Sequence, residues 1–426
     1  MLRLAKYSYV QLTKKPLHIS LSIFIAALLL RLGTLMLFPD VPIATDTIRE
    51  YDVIAQNLID GKGYVGEDGT PTASKAPLFP FVLLVIYTVF GHSFLYAKLF
   101  DVVIDSINCV LIYRIARHLF GEKVAKLSSL AVVFYPPLIW FAINVQSEPL
   151  FTCLLSFSMF NFLCGLQSSG TRYYVISGVL FGLTSLCKPT TLLFPFLLPL
   201  LILSDRTSWK GITALLLIFM ATLTPWMIRN YMVFDRVIPI ETRGTSALWQ
   251  GSDLDFLKDL ERKNRNADKT MHELGLERNW KNEIETMDVY REAALRNYAR
   301  QFHSQPLQLV RLVVEKALRF WFMTDSGRNE GYLMTLHGLI LLCAIIGIHA
   351  AKINTTVLSV LLLVFYFWVA HTALFPLVRY AVPIMPYVLI FGVFGAWVTL
   401  RRHSSVLVSV SYRSEEGSVD NERSVS

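Results

Sequence analysis

The chain has 426 residues, 54% of them hydrophobic and only 17% charged, with a mean hydropathy of +0.46. A soluble chain of this length carries charge on about a quarter of its residues, so an ordinary soluble domain is excluded. The net charge of +8 fits basic cytoplasmic turns rather than a nucleic-acid partner.

In chain order, the segment 1–17 carries Arg3, Lys6, Lys14 and Lys15 and is expected in the cytoplasm. The apolar run 18–38 is long enough to span ~30 Å of hydrocarbon and lacks a small-residue cleavage site, so it is expected to stay as an uncleaved anchor. It leads outward to a polar loop, 39–76. The run 77–91 that follows reaches only ~22 Å as a helix. If it crossed, the basic turn Arg114, Arg117, His118, Lys123 and Lys126 would face outward, so 77–91 is expected to lie in the interface or dip back.

Spans are then expected at 95–117, 124–142, 150–166, 173–187, 190–204 and 211–230, with the turns at Arg172 and at Asp205, Arg206 and Lys210 inside. The loop 232–308 is external, and its charged stretch 252–306 has the composition of a small helical subdomain. The stretch 307–323 mixes Arg311, Glu315, Lys316 and Arg319 with apolar residues and reads as an amphipathic interfacial helix. Spans at 332–350, 354–371 and 380–400 bring Lys352, Arg401 and Arg402 inside, ahead of a polar, disordered tail, 403–426.

The fold class is therefore an all-α polytopic membrane protein. It has about ten transmembrane helices, first-loop interfacial helices and a small external helical region. The divisions are a cytoplasmic N-terminus 1–17, a membrane module 18–231 with first external loop 39–94, an external loop and helical subdomain 232–323, C-terminal helices 324–402 and a cytoplasmic tail 403–426. The five cysteines (Cys109, Cys153, Cys164, Cys187, Cys343) lie in or at the end of apolar runs, with neither metal-ligand nor disulfide spacing.

The polar residues converge on the external side. Asp46 precedes a helical pattern of Ile48, Tyr51, Ile54, Ala55 and Leu58, and is either a helix cap or a general base facing a cleft. Glu148, in NVQSEPLF, either stabilises a helix N-terminus or supports a second carboxylate or a divalent cation. Lys98, Asp101, Asp105 and Asn108 share one face of the run 95–117, with Lys98–Asp101 pairing expected there. Arg31 in the first span needs Asp101 or Asp105 as partner, because an unpaired charge near a helix centre costs ~2.5–3.5 kcal/mol. Lys75, Lys188, Arg229, Arg243 and Arg379 mark external helix ends, where each is either a snorkelling interface residue or a ligand for an anionic headgroup.

The order of TDTIREYDVIAQNL, GKGY, KAPLFPF, HSFLYAKLFDVV, RHLFGEKVAKLSSL, NVQSEPLF, LCKPTTLLF, TPWMIRNY and HTALFPLVRYAVPIMP resembles the GT-C superfamily of polyprenyl-phosphate-dependent glycosyltransferases, over roughly residues 25–400. It is most similar to the bacterial branch related to protein O-mannosyltransferases and the lipid A aminoarabinose transferase. The resemblance implies an inverting transferase with a polyprenyl-phosphate sugar donor, an acceptor that is lipid, glycan or protein, and membrane lipid around it. Asp46 is then the catalytic base or acceptor-orienting acid and Glu148 its second-loop partner. Arg379 and Tyr380, with Lys98, Arg229 and Lys75, are expected at the donor phosphate. Arg31, Asp101, Asp105, Tyr51, His371 and Arg243 are expected to support them. Position 47 is Thr, so Asp46 lacks the adjacent acid of the mannosyltransferases, which leaves a divalent cation at Asp46 and Glu148 open. Acceptor recognition is expected from 232–323. The rival readings are a transporter or lipid flippase, and a non-catalytic envelope-assembly partner. The expected location is a prokaryotic inner membrane, with the site facing outward.

Overall fold

A computed structural model describes residues 17–168, 170–202, 209–252 and 283–401. The basic N-terminal segment, the first half of the charged stretch 252–306 and the tail 403–426 lie outside the described residues.

The chain is built from helices, as its long unalternated apolar runs require. Helix α1, Leu17–Leu37, is interrupted by a single charged residue, Arg31. A five-residue π-helical turn, Thr47–Tyr51, follows and runs into α2, Asp52–Ile59. Helices α3 (Leu78–Phe90) and α4 (Phe94–Phe120) meet at 119°. Gly91, at φ 82°, makes this bend where other residues would be strained. The run 77–91 therefore folds back on α4 rather than extending it.

Helices α5 (Glu122–Val133) and α6 (Pro136–Ala142) are bent by 55°. The expected span 124–142 is thus broken by a bend: Pro136 and Pro137 have no N–H to continue the ladder, and residues before proline avoid helical backbone. Helices α7 (Ser147–Ser168) and α8 (Thr171–Cys187) follow. The expected span 190–204 is corrected too. It forms 3₁₀ turns, Pro189–Thr191 and Phe194–Ile202, because Pro189, Pro195 and Pro199 remove donors at nearly every turn. The remaining elements are α9 (Trp209–Phe234), α10 (Gly244–Gln250), α11 (Glu283–Ser304), α12 (Pro306–Arg319), α13 (Glu330–Ala350), α14 (Thr355–Ala373), a single turn α15 (Val378–Ala381) and α16 (Met385–Arg401).

Among the described residues five helices are long and apolar enough to cross a membrane: α1, α7, α9, α13 and α14. The number rises to seven if each bent pair is one span. The chain is an integral membrane protein of the expected class, and the figure of ten spans is not reached by length and composition. Close packing is set by small residues. A methyl at Gly178 would lie 2.5 Å from the Leu215 carbonyl, and one at Gly182 2.5 Å from Thr222, so this pair one turn apart lets α8 and α9 touch. Helix α12 has the expected amphipathic form: Leu307, Val310, Val314 and Leu318 are exposed along one stripe, while Arg311 and Arg319 pair with Glu315.

One end of this bundle carries the π turn, the loop 60–77, the turn 143–147, the segment 238–252 and the turn 374–380. Four ties hold that end together. The Arg229 guanidinium donates to the Tyr64 and Thr72 carbonyls at 3.0 and 2.8 Å. Trp226 Nε1 donates to the Ile240 carbonyl at 2.8 Å. Glu283, opening α11, accepts from Thr72 and Thr242 hydroxyls and the Ala73 amide. The Val378 amide donates to Met323 O at 2.7 Å.

Candidate functional site

Asp46 stands directly before the π turn, yet its side chain makes no capping hydrogen bond, so of the two roles read from sequence the cap is absent. Its carboxylate instead lies 3.7 Å from Lys75 Nζ and 3.5 Å from Arg379 Nη1, and its side chain is 40% exposed. A π turn advances the backbone differently from an α-helix and is often found at functional sites. Here it carries Asp46, Glu50 and Tyr51 toward one cluster.

Glu148, in the first turn of α7, is buried at 1% exposure and accepts from Lys188 Nζ at 2.6 Å and from the Arg379 guanidinium at 3.1 Å. Arg379 thus joins the two carboxylates read from sequence, and a third, Asp325, comes within 3.8 Å. Glu50 completes the ring, 3.3 Å from Lys75 and 2.5 Å from Arg243.

The aromatic residues form its walls. Lys75 Nζ sits 4.8 Å over the Tyr51 ring, which packs edge-on against Phe79. The Tyr380 ring faces Lys188 at 5.9 Å and Arg379 at 5.8 Å, and stacks on His371 at 4.3 Å. These cation–π contacts fix the long basic side chains without neutralising them.

The charges tune one another. Partial burial alone would raise the Asp46 carboxyl, but Lys75, Arg379, Arg243 and Lys188 together hold it down at about 2. Burial lowers Lys75, and the neighbouring Arg243 pushes it further down, against the pull of Glu50 and Asp46. Arg379 stays firmly charged, since its carboxylates outweigh its burial.

Of the residues expected from sequence, Asp46, Glu148, Arg379, Tyr380, Lys75, Tyr51, Arg243 and His371 come together. The others lie outside this cluster. Lys98 points its ammonium at the Pro39 and Val41 carbonyls, 3.3 and 3.5 Å away, and not at Asp101 or this cluster. Arg229 is committed to the carbonyls of the first loop and to the faces of Tyr64, Trp226 and Phe234. Arg31 is closed on Asp105 at 2.5 Å, one of the two partners expected for it. Asp101 accepts from the Gln146 backbone N–H at 3.3 Å, bracing the turn before Glu148.

Sequence reading missed Glu50, Asp325 and the weight of Lys188. Glu50 carried a signal, since it stands four residues after Asp46 and i, i+4 positions share a helical face. Asp325 carried none, because its approach depends on where α14 returns the chain.

A divalent cation fits this donor set poorly. Lys75, Lys188, Arg243 and Arg379 already crowd the carboxylates, and among the described residues no three His, Cys, Asp or Glu side chains converge as ligands.

The family described as dolichyl-phosphate-mannose-protein mannosyltransferase matches residues 74–228, from Lys75 through Glu148 and Lys188 to the end of TPWMI. No curated protein matches the chain significantly. Among solved structures, the oligosaccharyltransferase AglB from Archaeoglobus fulgidus, in complex with an inhibitory peptide and a dolichol-phosphate, is similar over 92% of this chain at 13% identity and a TM-score of 0.56. The same enzyme tethered to an acceptor peptide is similar over 90% at 12% identity and a TM-score of 0.55. ArnT from Cupriavidus metallidurans bound to undecaprenyl phosphate matches over 89% of this chain and 76% of its own length, at 14% identity and a TM-score of 0.40. This chain spans about half the length of the AglB structures, 52% and 50%. The expected resemblance is borne out: this is a chain with the GT-C fold, whose residues 74–228 match the dolichyl-phosphate-mannose-protein mannosyltransferase family.

Proposed function

We propose that the chain is a membrane glycosyltransferase that moves a sugar from a polyprenyl-phosphate donor to an acceptor, with inversion at the anomeric carbon. The observation that carries this reading is Arg379 held between Asp46 and Glu148, with Lys75 and Lys188 on either side. A donor phosphate diester enters as a monoanion and takes up Arg379 and its neighbouring lysines through charge-assisted hydrogen bonds. The acceptor nucleophile attacks the anomeric carbon as the carbon–oxygen bond to phosphate breaks. Polyprenyl phosphate leaves with one further negative charge, developing beside cations that are already in place.

Asp46 takes the nucleophile's proton. With Arg379 and Lys75 both drawn on it, Asp46 is a weak base. Once phosphate engages those cations their pull on Asp46 falls, and its basicity rises toward that of an ordinary carboxylate when the donor is bound. Glu148 orients Arg379 and Lys188 from its buried position. The cations supply the charge stabilisation in this reading, and no step requires a metal. The site faces the non-cytoplasmic side of a prokaryotic inner membrane, with both termini inside and the segment 232–323 nearest the acceptor.

The test is incubation of purified protein with a radiolabelled polyprenyl-phosphate sugar and candidate lipid, glycan and peptide acceptors. Donor-dependent labelling of an acceptor is expected. Movement of donor across a vesicle without product would establish the flippase reading instead, and neither outcome would leave the assembly-partner reading.

A further inference from the structure

The residue after Asp46 is the one where the sequence lacks a second acid, and its side chain does not enter the cation cluster at all. Thr47 is fully buried, and its hydroxyl donates 2.6 Å to the carbonyl oxygen of Val145. Val145 is itself unusual: its φ is 39°, in the left-handed region that a β-branched side chain avoids. Such a backbone persists only where its surroundings hold it.

Two hydrogen bonds do so. Asp101 accepts the Gln146 amide, and Thr47 takes the Val145 carbonyl. The turn Asn144–Ser147 opens α7, and the second residue of that helix is Glu148. One hydrogen bond therefore runs from the residue beside Asp46 to the turn that launches Glu148, bypassing the charges.

We infer that Thr47 is a positioning residue that sets the spacing of Asp46 and Glu148 across Arg379. This rests on the transferase reading for its catalytic consequence, though not for the tether itself. The spacing matters because Arg379 reaches Glu148 at 3.1 Å but Asp46 only at 3.5 Å, the second near the limit of a direct hydrogen bond. If the turn relaxed toward ordinary backbone, Glu148 would swing relative to Asp46, and Arg379 would follow one acid and lose the other. A displacement of ~1 Å at a reacting centre costs up to about a hundredfold in rate. A threonine is well suited to such a tether, since it offers one donor, carries no charge to compete with Arg379, and has a β-branch that limits χ1.

The experiment compares Thr47→Val, of nearly the same shape without the hydroxyl, with Thr47→Ser, which keeps it. Hydrogen exchange read by mass spectrometry over residues 143–150 should be faster in T47V than in wild type and unchanged in T47S. In transfer assays T47V should lose roughly 10- to 100-fold in kcat, with T47S within about threefold of wild type. The acid limb of the T47V pH profile should also move upward, as Asp46 loses its fixed place among Lys75, Arg379, Arg243 and Lys188 beside Glu50. A merely structural loss would lower the active fraction without moving that limb. Equal exchange and equal kcat in T47V and wild type would overturn the inference. If T47V does not fold, Thr47→Ala against Thr47→Ser differs by one oxygen atom and decides on the same readouts. If wild type transfers no sugar, the transferase reading fails, while the exchange comparison still upholds or overturns the tether.

Discussion

Two arginines in this protein meet carboxylates away from bulk water, and they do so in opposite ways. Arg31 and Asp105 are both fully buried and closed on each other at 2.5 Å, with the spare guanidinium nitrogens placed against the Ala27 and Val133 carbonyls and the Cys109 thiol. Arg379 is 19% exposed and faces three carboxylates at 3.1 to 3.8 Å, each of them shared or exposed. A one-to-one buried pair has no reason to exchange partners, since separating it strands a charge in a medium that cannot solvate it. A shared arginine at an open edge gains when another anion arrives, because its own carboxylates have other cations to fall back on: Lys75 for Asp46 and Lys188 for Glu148. Geometry separates structural charge from working charge where residue type does not.

The sharpest way to break that contrast is to neutralise one acid in the open cluster. Asp46→Asn keeps shape and removes the base, so turnover should fall by about 10³-fold, or ~4 kcal/mol of barrier. The thermal midpoint should fall only modestly, because Asp46 is 40% exposed and solvent screens its ion pairs with Lys75 and Arg379. Transfer kinetics and a thermal-shift trace on the same preparation check both halves, and near-normal turnover would remove Asp46 from the mechanism.

The closed pair should respond the other way round. Arg31→Ala leaves Asp105 buried without its partner and should cost about 3–5 kcal/mol of stability. Replacing both residues by apolar side chains of similar volume should recover most of that loss. Activity per folded molecule should be retained in the double variant, measured by unfolding in detergent alongside the transfer assay. A double variant as unstable as the single one would mean that the pair is held for more than its own neutrality.

Arg379→Lys keeps the charge but loses the planar fork that reaches Asp46 and Glu148 together. The donor KM should rise about tenfold, with a smaller change in kcat. The pH dependence carries a sign. The surrounding cations hold the Asp46 carboxyl down at about 2, so its ion pairs contribute fully above its unfolded value and are lost only as pH falls through that low folded value. In wild type kcat/KM should therefore show no Asp46 inflection between pH 5 and 7. In the lysine variant, where one of those cations sits less closely, the acid limb should shift upward.

How much of this was legible in the sequence follows the physics of each signal. Membrane helices announce themselves through continuous apolar runs, and the bounds of α1, α7 and α14 fall within a few residues of the expected spans. The reading of 77–91 as a segment that does not cross followed from its shortness and from the charge of the turn after 95–117, and the chain bends by 119° between α3 and α4. The prolines of 189–199 and of 136–137 were equally visible, but hydropathy counts them as tolerable and says nothing about lost N–H donors. Asp46, Glu148 and Arg379 were legible because loops that share one membrane face bring their polar ends together. Lys188 and Glu50 take their meaning from the charged partner each reaches, Glu148 for the first and Lys75 and Arg243 for the second, a property of packing between separate segments. Arg229 and Lys98 were misread for the complementary reason. A basic residue at a helix end has two ways to be satisfied, a ligand's phosphate or the chain's own carbonyls, and sequence does not distinguish them.

Lys98 offers the finest test of the contrast, because the smallest effect is expected there. Its ammonium lies 3.3 and 3.5 Å from two carbonyls of the segment after α1, long contacts that hold a loop and bind no carboxylate. Lys98→Met preserves the aliphatic stem and drops only those contacts. Because the bonds are long, the stability change should stay within about 1 kcal/mol. The donor KM and kcat should remain within about threefold of wild type, since no cation is withdrawn from the Asp46–Arg379–Glu148 cluster. A rise in donor KM comparable to that of Arg379→Lys would place Lys98 at the phosphate after all. It would also show that the segment carrying Pro39 and Val41 yields its hold on the lysine when donor binds.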